Sequence, residues 1–176
     1  MWNVDLIATD AVQRAANIQL MLSDNDGVLT DACVYYSESG ETLKKYNMRD
    51  GMGFDRLREI AKIETGIVTR EETEFARRRA EKLKLSEVLI GIKDKPLAIR
   101  EIAKAKNLSL EQIGFIGDDM NDLEVLKIVG FAACPKDALP AILEVCHVVA
   151  HLPGGHGAFR CVAEFIIESK LAKNES

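Results

Sequence analysis

The chain has 176 residues, 47% of them apolar, with 23 Lys or Arg against 28 Asp or Glu and a formal charge of −5. A chain of this size buries roughly 70% of its unfolded surface in one core and needs no disulfide or zinc staple. The acidic balance excludes broad nucleic-acid binding but leaves room for a small basic pocket that holds an anion, and no apolar run approaches the roughly 20 residues of a membrane helix.

The N-terminus MWNVDLIATD lacks a basic flank followed by an apolar core, so a cytoplasmic, non-secreted protein is expected. Residues 4–17, VDLIATDAVQRAAN, are expected to form a short helix outside the sheet. The apolar run IQLML then ends in DNDGVLTD, which places three carboxylates within eight residues at the end of an expected buried strand. Carboxylates so placed repel one another and lose solvation, which points to a metal ion or a reaction. Next, ACVYYSESGETLKKYNMRD carries β-favouring residues on both sides of the turn signal SESGE and reads as an inserted hairpin over 33–46.

From there apolar runs alternate with amphipathic segments. TGIVT, EVLIG, IGFIG, GFAAC and HVVAHL read as strands, while DGMGFDRLREIAKI, EETEFARRRAEKLK, KPLAIREIAKAKN and DDMNDLEVLKIV read as helices. This rhythm predicts an α/β three-layer sandwich with a mostly parallel, Rossmann-like sheet and no large cap domain, residues 1–176 forming one domain with a C-terminal tail over 154–176. The four cysteines are widely spaced, form no C-x-x-C pair and read as reduced structural thiols.

Open α/β sheets bind ligands beyond the C-terminal ends of their strands. Asp24 and Asp26 follow the first core strand, Thr69 and Arg70 the second, Lys95 comes shortly after the third, and Asp118 with Asp119 follows the fourth. Two residues apart, Asp24 and Asp26 share a face if the strand geometry persists. One carboxylate can attack phosphorus to form an aspartyl-phosphate while the other manages a proton. Gly27 permits a sharp turn beside the substrate. Asp24 and Asp118 are candidate ligands for Mg²⁺, Lys95 supplies a positive charge, and the Thr69 hydroxyl can donate to a phosphoryl oxygen. Asp119 and Asp122 read as groups that orient the ligands or Lys95. Arg70 and Arg78, about 80° apart around a helix and about 12 Å along it, could line one broad surface.

The soft-ligand residues Cys146, His147, His151, His156 and Cys161 do not carry zinc-site spacing. His156 and Arg160, in the glycine-rich stretch, are candidates for an interface or for gating the substrate.

DNDGVLTD, IVTR, the Lys95 region and GDDMND, in that order, resemble the four signature motifs of the haloacid-dehalogenase-like phosphohydrolases. The hairpin, KKYNMRDGMG and GGHGAFR extend the likeness to the cap-less branch that contains 3-deoxy-D-manno-octulosonate 8-phosphate phosphatase. The resemblance implies that Asp24 is nucleophile and metal ligand, that Asp26 is acid/base with its backbone carbonyl on the metal, and that Asp118 is the third metal contact. It implies that Thr69 and Lys95 hold phosphate and that Asp26, Asn47, Arg49, Asp50, Gly51, Arg70, Arg78 and Lys95 meet the sugar-acid substrate. It also implies a homotetramer in which one subunit's hairpin and a neighbour's tail close the site, and a place in lipopolysaccharide biosynthesis. No nucleic-acid or membrane partner is expected.

Four departures from the branch stand out. Asn25 replaces a small apolar residue, VTR replaces TGR, Asp55 stands where a basic residue is usual, and Cys161 where glutamate is frequent. A phosphatase for a nine-carbon keto-sugar acid 9-phosphate, a phosphotransferase using the same aspartyl-phosphate, and a non-catalytic oligomerisation or regulatory module remain the alternatives.

Overall fold

The computed structural model describes residues 4–6 and 8–174, so residues 175 and 176 of the expected tail lie outside the described part. In chain order the elements are β1 (Val4–Leu6), α1 (Ala11–Asn17), β2 (Leu20–Ser23), β3 (Tyr35–Ser37), β4 (Gly40–Leu43), α2 (Met48–Glu59), β5 (Glu64–Val68), α3 (Glu74–Leu83) and β6 (Glu87–Leu89). They continue with α4 (Lys95–Lys106), β7 (Ile113–Ile116), α5 (Leu123–Leu126), β8 (Phe131–Cys134), α6 (Pro140–Leu143), β9 (Val148–Ala150) and α7 (Ala158–Asn174). A seven-stranded sheet runs in the order β1-β9-β8-β7-β2-β5-β6, parallel except for β1, and β3 and β4 form a separate antiparallel hairpin.

Side chains alternate across a strand with period two, and the central strands bury both faces. Met21, Ile67, Ile116, Phe131 and Ala133 enter one core, packed with α1, α2, α3 and α7. Leu20, Leu22, Val68, Phe115, Ala132 and Cys134 enter the other, packed with α4, α5 and α6. Those are the three layers expected of the sequence. Between β2 and α2 the chain inserts only the hairpin, so no large cap covers the strand ends.

Three expectations change. Among the described residues of the predicted N-terminal helix only Ala11–Asn17 is helical; Val4–Leu6 pairs antiparallel with β9, Val4 opposite Ala150, and gives that otherwise open edge its hydrogen-bonding partners. The helix predicted over 118–129 shortens to Leu123–Leu126, because the acidic residues before it make a turn closed by Asp122 N–H donating to the Asp119 carbonyl at 2.8 Å. The predicted C-terminal tail is a 17-residue helix. Its buried Phe159, Val162, Ala163, Ile166 and Ile167 follow helical spacing and face the core shared with α1 and α2.

The α2–α7 contact is anchored by Phe54 and Phe159, both fully buried, with ring centroids 3.9 Å apart. The buried Glu164 carboxylate joins it by accepting from Arg56 and, at 2.6 Å, from Arg160. Phe54→Ala is therefore expected to lower unfolding free energy by about 3–5 kcal/mol, measured by urea denaturation. A loss below about 1 kcal/mol would show that the neighbours refill the space and that this stack does not anchor the helix pair.

Candidate active site

Sheet register assembles the site. Ser23 of β2 lies opposite Ile67 of β5 and Ile116 of β7, so Asp24, Thr69 and Asp118 leave three adjacent strands within two residues of the same level. After Asp24 the chain turns sharply: Leu29 and Thr30 N–H both donate to the Asn25 carbonyl, and Val28 and Leu29 sink into the core. Gly27 has φ +90°, and a Cβ there would fall 1.9 Å from an Asp118 carboxylate oxygen. Here glycine is required by the close approach of the two acidic loops.

Oxygens of Asp24, Asp118 and Asp122 lie within 4.8 Å of one another, the one such metal-capable group among the described residues. Lys95, 1% exposed, points between them: Nζ is 2.6 Å from Asp122 Oδ1 and 3.0 Å from Asp24 Oδ1. Burial, then Asp122, raises the Asp24 carboxyl well above its usual range against the opposing pull of Lys95. Burial followed by Asp122 and Asp119 pushes Asp118 up to about 7. Burial opposes charging of Lys95, but Asp24 and Asp122 outweigh it and hold its pKa up. Three carboxylates thus share one ammonium, and buried Asp118 Oδ1 has no hydrogen-bond partner. A hard divalent ion is what this donor set fits, with carboxylate ligands and room left for waters.

Asp26 faces a different set of groups. Its Oδ1 accepts from Thr30 Oγ1 at 3.2 Å and from Lys44 Nζ at 2.9 Å, and Lys44 also binds Glu71. Burial would raise the Asp26 carboxyl, but hydrogen bonding with Glu71 and Lys44 overcomes it and leaves the group below its usual range. Burial raises Glu71. Buried Thr69 accepts Glu71 N–H on Oγ1 at 3.3 Å, which leaves its hydroxyl proton to donate.

The other expected residues divide. Asp119 is exposed and its carboxylate accepts from Met120 N–H, so Asp122 is the residue that reaches Lys95. Asn47 caps α2, accepting from Arg49 N–H at 2.8 Å, while Arg49 itself is exposed. Asp50 is buried and accepts from Gly157 and Arg160 N–H at 3.2 and 3.0 Å; burial lifts it to about 6. Gly51 packs where a Cβ would meet Arg79 Nη2 at 2.7 Å. Because α3 starts at Glu74, exposed Arg70 precedes the helix, and the helical relation expected between it and Arg78 does not hold. Arg78 points to solvent, whereas its neighbour Arg79 is buried, donates to the Asn47 carbonyl at 3.0 Å and lies over the Tyr46 ring. Tyr46 in turn donates to Asn25 Oδ1 at 3.1 Å. Asp55 pairs with Arg58.

Exposed His156 bonds to the Gly154 carbonyl, and Arg160 is held by Glu164. The loop before them lies on the chain's own turn after Asp24: Gly155 N–H donates to the Val28 carbonyl at 2.9 Å, and a Cβ on Gly154 would sit 1.8 Å from the Gly27 carbonyl oxygen. His147 accepts Ala132 N–H, His151 bonds Asp5, and Cys146 is in the second core, so the histidines and cysteines form no metal group among the described residues. Sequence reading misses Lys44 and Arg79. The spacing Ala76, Ala80, Leu83 does put position 79 on the buried face of α3.

A family model described as haloacid dehalogenase-like hydrolase matches residues 37–158. A 3-deoxy-D-manno-octulosonate 8-phosphate phosphatase of Yersinia pestis is 37% identical over 161 residues, covering 92% of this chain and 86% of its own. The Moraxella catarrhalis phosphatase of that name, solved with magnesium, phosphate and KDO, superposes with TM-score 0.89 at 29% identity, covering 96% of this chain and 97% of that one. A cobalt-bound deoxy-D-mannose-octulosonate 8-phosphate phosphatase of Haemophilus influenzae gives TM-score 0.85 at 30% identity over 90% and 92% of the two chains.

Raised carboxyls have a thermodynamic sign. Asp118 near 7 and Asp50 near 6 hold protons in the fold that the unfolded chain has already released. Their contribution to stability is full below about pH 4 and is lost as pH rises through 7. Metal ligation needs the ionised forms. The rise in melting temperature on adding magnesium should therefore be small at about pH 5.5 and grow toward about pH 8; equal rises at both would count against this cluster as the binding site.

Proposed function

This chain belongs to the haloacid dehalogenase-like hydrolases, and from that membership we propose that it is a magnesium-dependent phosphomonoesterase converting 3-deoxy-D-manno-octulosonate 8-phosphate to the free sugar acid and phosphate. The observation that carries the reading is the convergence of Asp24, Asp118 and Asp122 at the strand tips, with Lys95 paired to Asp24 and Asp122. The sugar acid is the substrate for which the related phosphatases are named.

Asp24 and Asp118, joined by the Asp26 carbonyl, would hold the ion, which would screen the phosphate dianion and stabilise charge on the transferring group, while Asp122 orients Lys95 and the Asp118 backbone. The Asp24 carboxylate attacks phosphorus as the bond to the sugar oxygen breaks, and Asp26 gives that oxygen a proton. Asp26 then takes a proton from the water that attacks the aspartyl-phosphate, releasing phosphate and restoring Asp24. Lys95 and the Thr69 hydroxyl hold phosphoryl oxygens throughout. Asn47, Arg49 and Arg70 are assigned to the sugar-acid end. Asp50 and Gly51 act there indirectly, by holding the 157–160 backbone and Arg79 in place.

The strand tips need cover from water, and this chain has no large cap. Exposed Tyr35, Tyr36 and Leu43 on the hairpin, with Met48 and Met52 beside it, support closure by neighbouring copies in a homotetramer. Light scattering should give four times the chain mass; a monomer that retains full activity would remove this element.

Asp24→Asn should lower turnover by at least about 10³-fold while leaving the fold intact, since an amide is a poor nucleophile. A screen of six- to nine-carbon sugar-acid phosphates with magnesium should give the highest kcat/KM for the eight-carbon compound. A nine-carbon optimum would reassign the substrate, and absence of magnesium-dependent phosphate release from every compound would end the phosphatase reading.

A further inference from the structure

Lys44 is anomalous for its place in the chain. The hairpin around it is open to solvent, with Tyr35 59%, Tyr36 67% and Leu43 62% exposed, yet the Lys44 side chain is 3% exposed. The next residue, Lys45, points outward to Asp31. A buried ammonium is costly unless it is paired and hydrogen-bonded. Both partners of Lys44, Asp26 and Glu71, lie outside the hairpin, and one of them is the assigned acid/base.

The contact discriminates between the two oxygens of Asp26. Oδ1 accepts from Thr30 Oγ1 and from Lys44 Nζ, whereas Oδ2 is buried and has no partner. With Oδ1 held by Thr30 and Lys44, Oδ2 is the oxygen left without a protein partner. We propose that Lys44 is a positioning residue: together with Thr30 it clamps Oδ1 and fixes the plane of the carboxylate, which leaves Oδ2 as the oxygen that exchanges a proton. As the bond from phosphorus to the leaving oxygen breaks, the Oδ2 proton passes to that oxygen; in the second half-reaction Oδ2 takes a proton from the attacking water. Glu71 secures the ammonium from its other side. The aim of the acid/base thereby depends on how the hairpin is seated. This rests on the reading of Asp26 as acid/base.

The test compares the eight-carbon sugar-acid phosphate, whose leaving alkoxide needs a proton, with p-nitrophenyl phosphate, whose leaving phenolate does not. With magnesium, Lys44→Met should lower kcat/KM, which reports only the steps up to departure of the leaving group and not the shared hydrolysis of the aspartyl-phosphate, by at least about 100-fold on the sugar-acid phosphate and by less than about 5-fold on p-nitrophenyl phosphate. Lys44→Arg should recover most of the loss. Adding Glu71→Gln to Lys44→Met should recover none of it. Equal losses on both substrates, the signature of a merely structural role, would overturn the proposal, as would recovery in the double variant, which would trace the loss to the Glu71 charge. Crystal structures of wild type and Lys44→Met with magnesium and phosphate supply a readout without turnover. Rotation of the Asp26 carboxylate in the variant supports the clamp, and an unchanged carboxylate overturns it. If wild type hydrolyses neither compound, the phosphatase reading fails and the crystallographic comparison alone decides whether Lys44 orients Asp26.

Discussion

Lys95 is the constraint on which the site depends. It is the first residue of α4, at the positive end of the helix dipole, and its side chain is almost entirely buried. The dipole opposes a cation there by roughly 0.3–1 kcal/mol. Charge-assisted hydrogen bonds contribute about 1.5–3 kcal/mol each, so the contacts to Asp24 and Asp122 prevail. Those contacts tie the tips of β2 and the β7–α5 turn to the start of α4. When ionised, Asp24, Asp118 and Asp122 outnumber the one ammonium by two negative charges, which is why the arrangement suits a divalent ion.

A second tie works from the far end of the chain. Asp50 at the start of α2 accepts from the backbone that begins α7, and the glycines before that helix lie directly on the turn after Asp24. The side chain expected to meet substrate is thus occupied in holding the loop that backs the acidic turn. Burial of its carboxyl follows from that task, and the two N–H donors meet its hydrogen-bonding needs.

The sheet and the order of Asp24, Thr69, Lys95 and Asp118 along it were legible because period-two and helical spacing are strong over these segments and ligands gather at strand ends. Less legible were choices between neighbours. Lys44 and Lys45 differ only in which side of the hairpin each faces, and nothing local says that the Asp26 loop lies under one of them. Asp119 and Asp122 belong to one acidic run, and only the turn that closes it swings Asp122 onto Lys95. Arg78 and Arg79 were distinguishable by the small apolar residues flanking the latter. The final helix carries a clear apolar stripe, but the glycines that open it obscure its start.

The pairing of β1 with β9 and the seating of Gly154 and Gly155 on residues 27–31 have a consequence for how the molecule is made. A ribosome delivers the acidic turn early and the loop that backs it more than a hundred residues later. Until then the nascent chain carries its charged cluster without that cover, and the sheet lacks the partner that finishes its edge. Closure of the two ends is therefore a late event in biosynthesis, limited by the loop entropy of joining distant segments rather than by the local turns that are formed first.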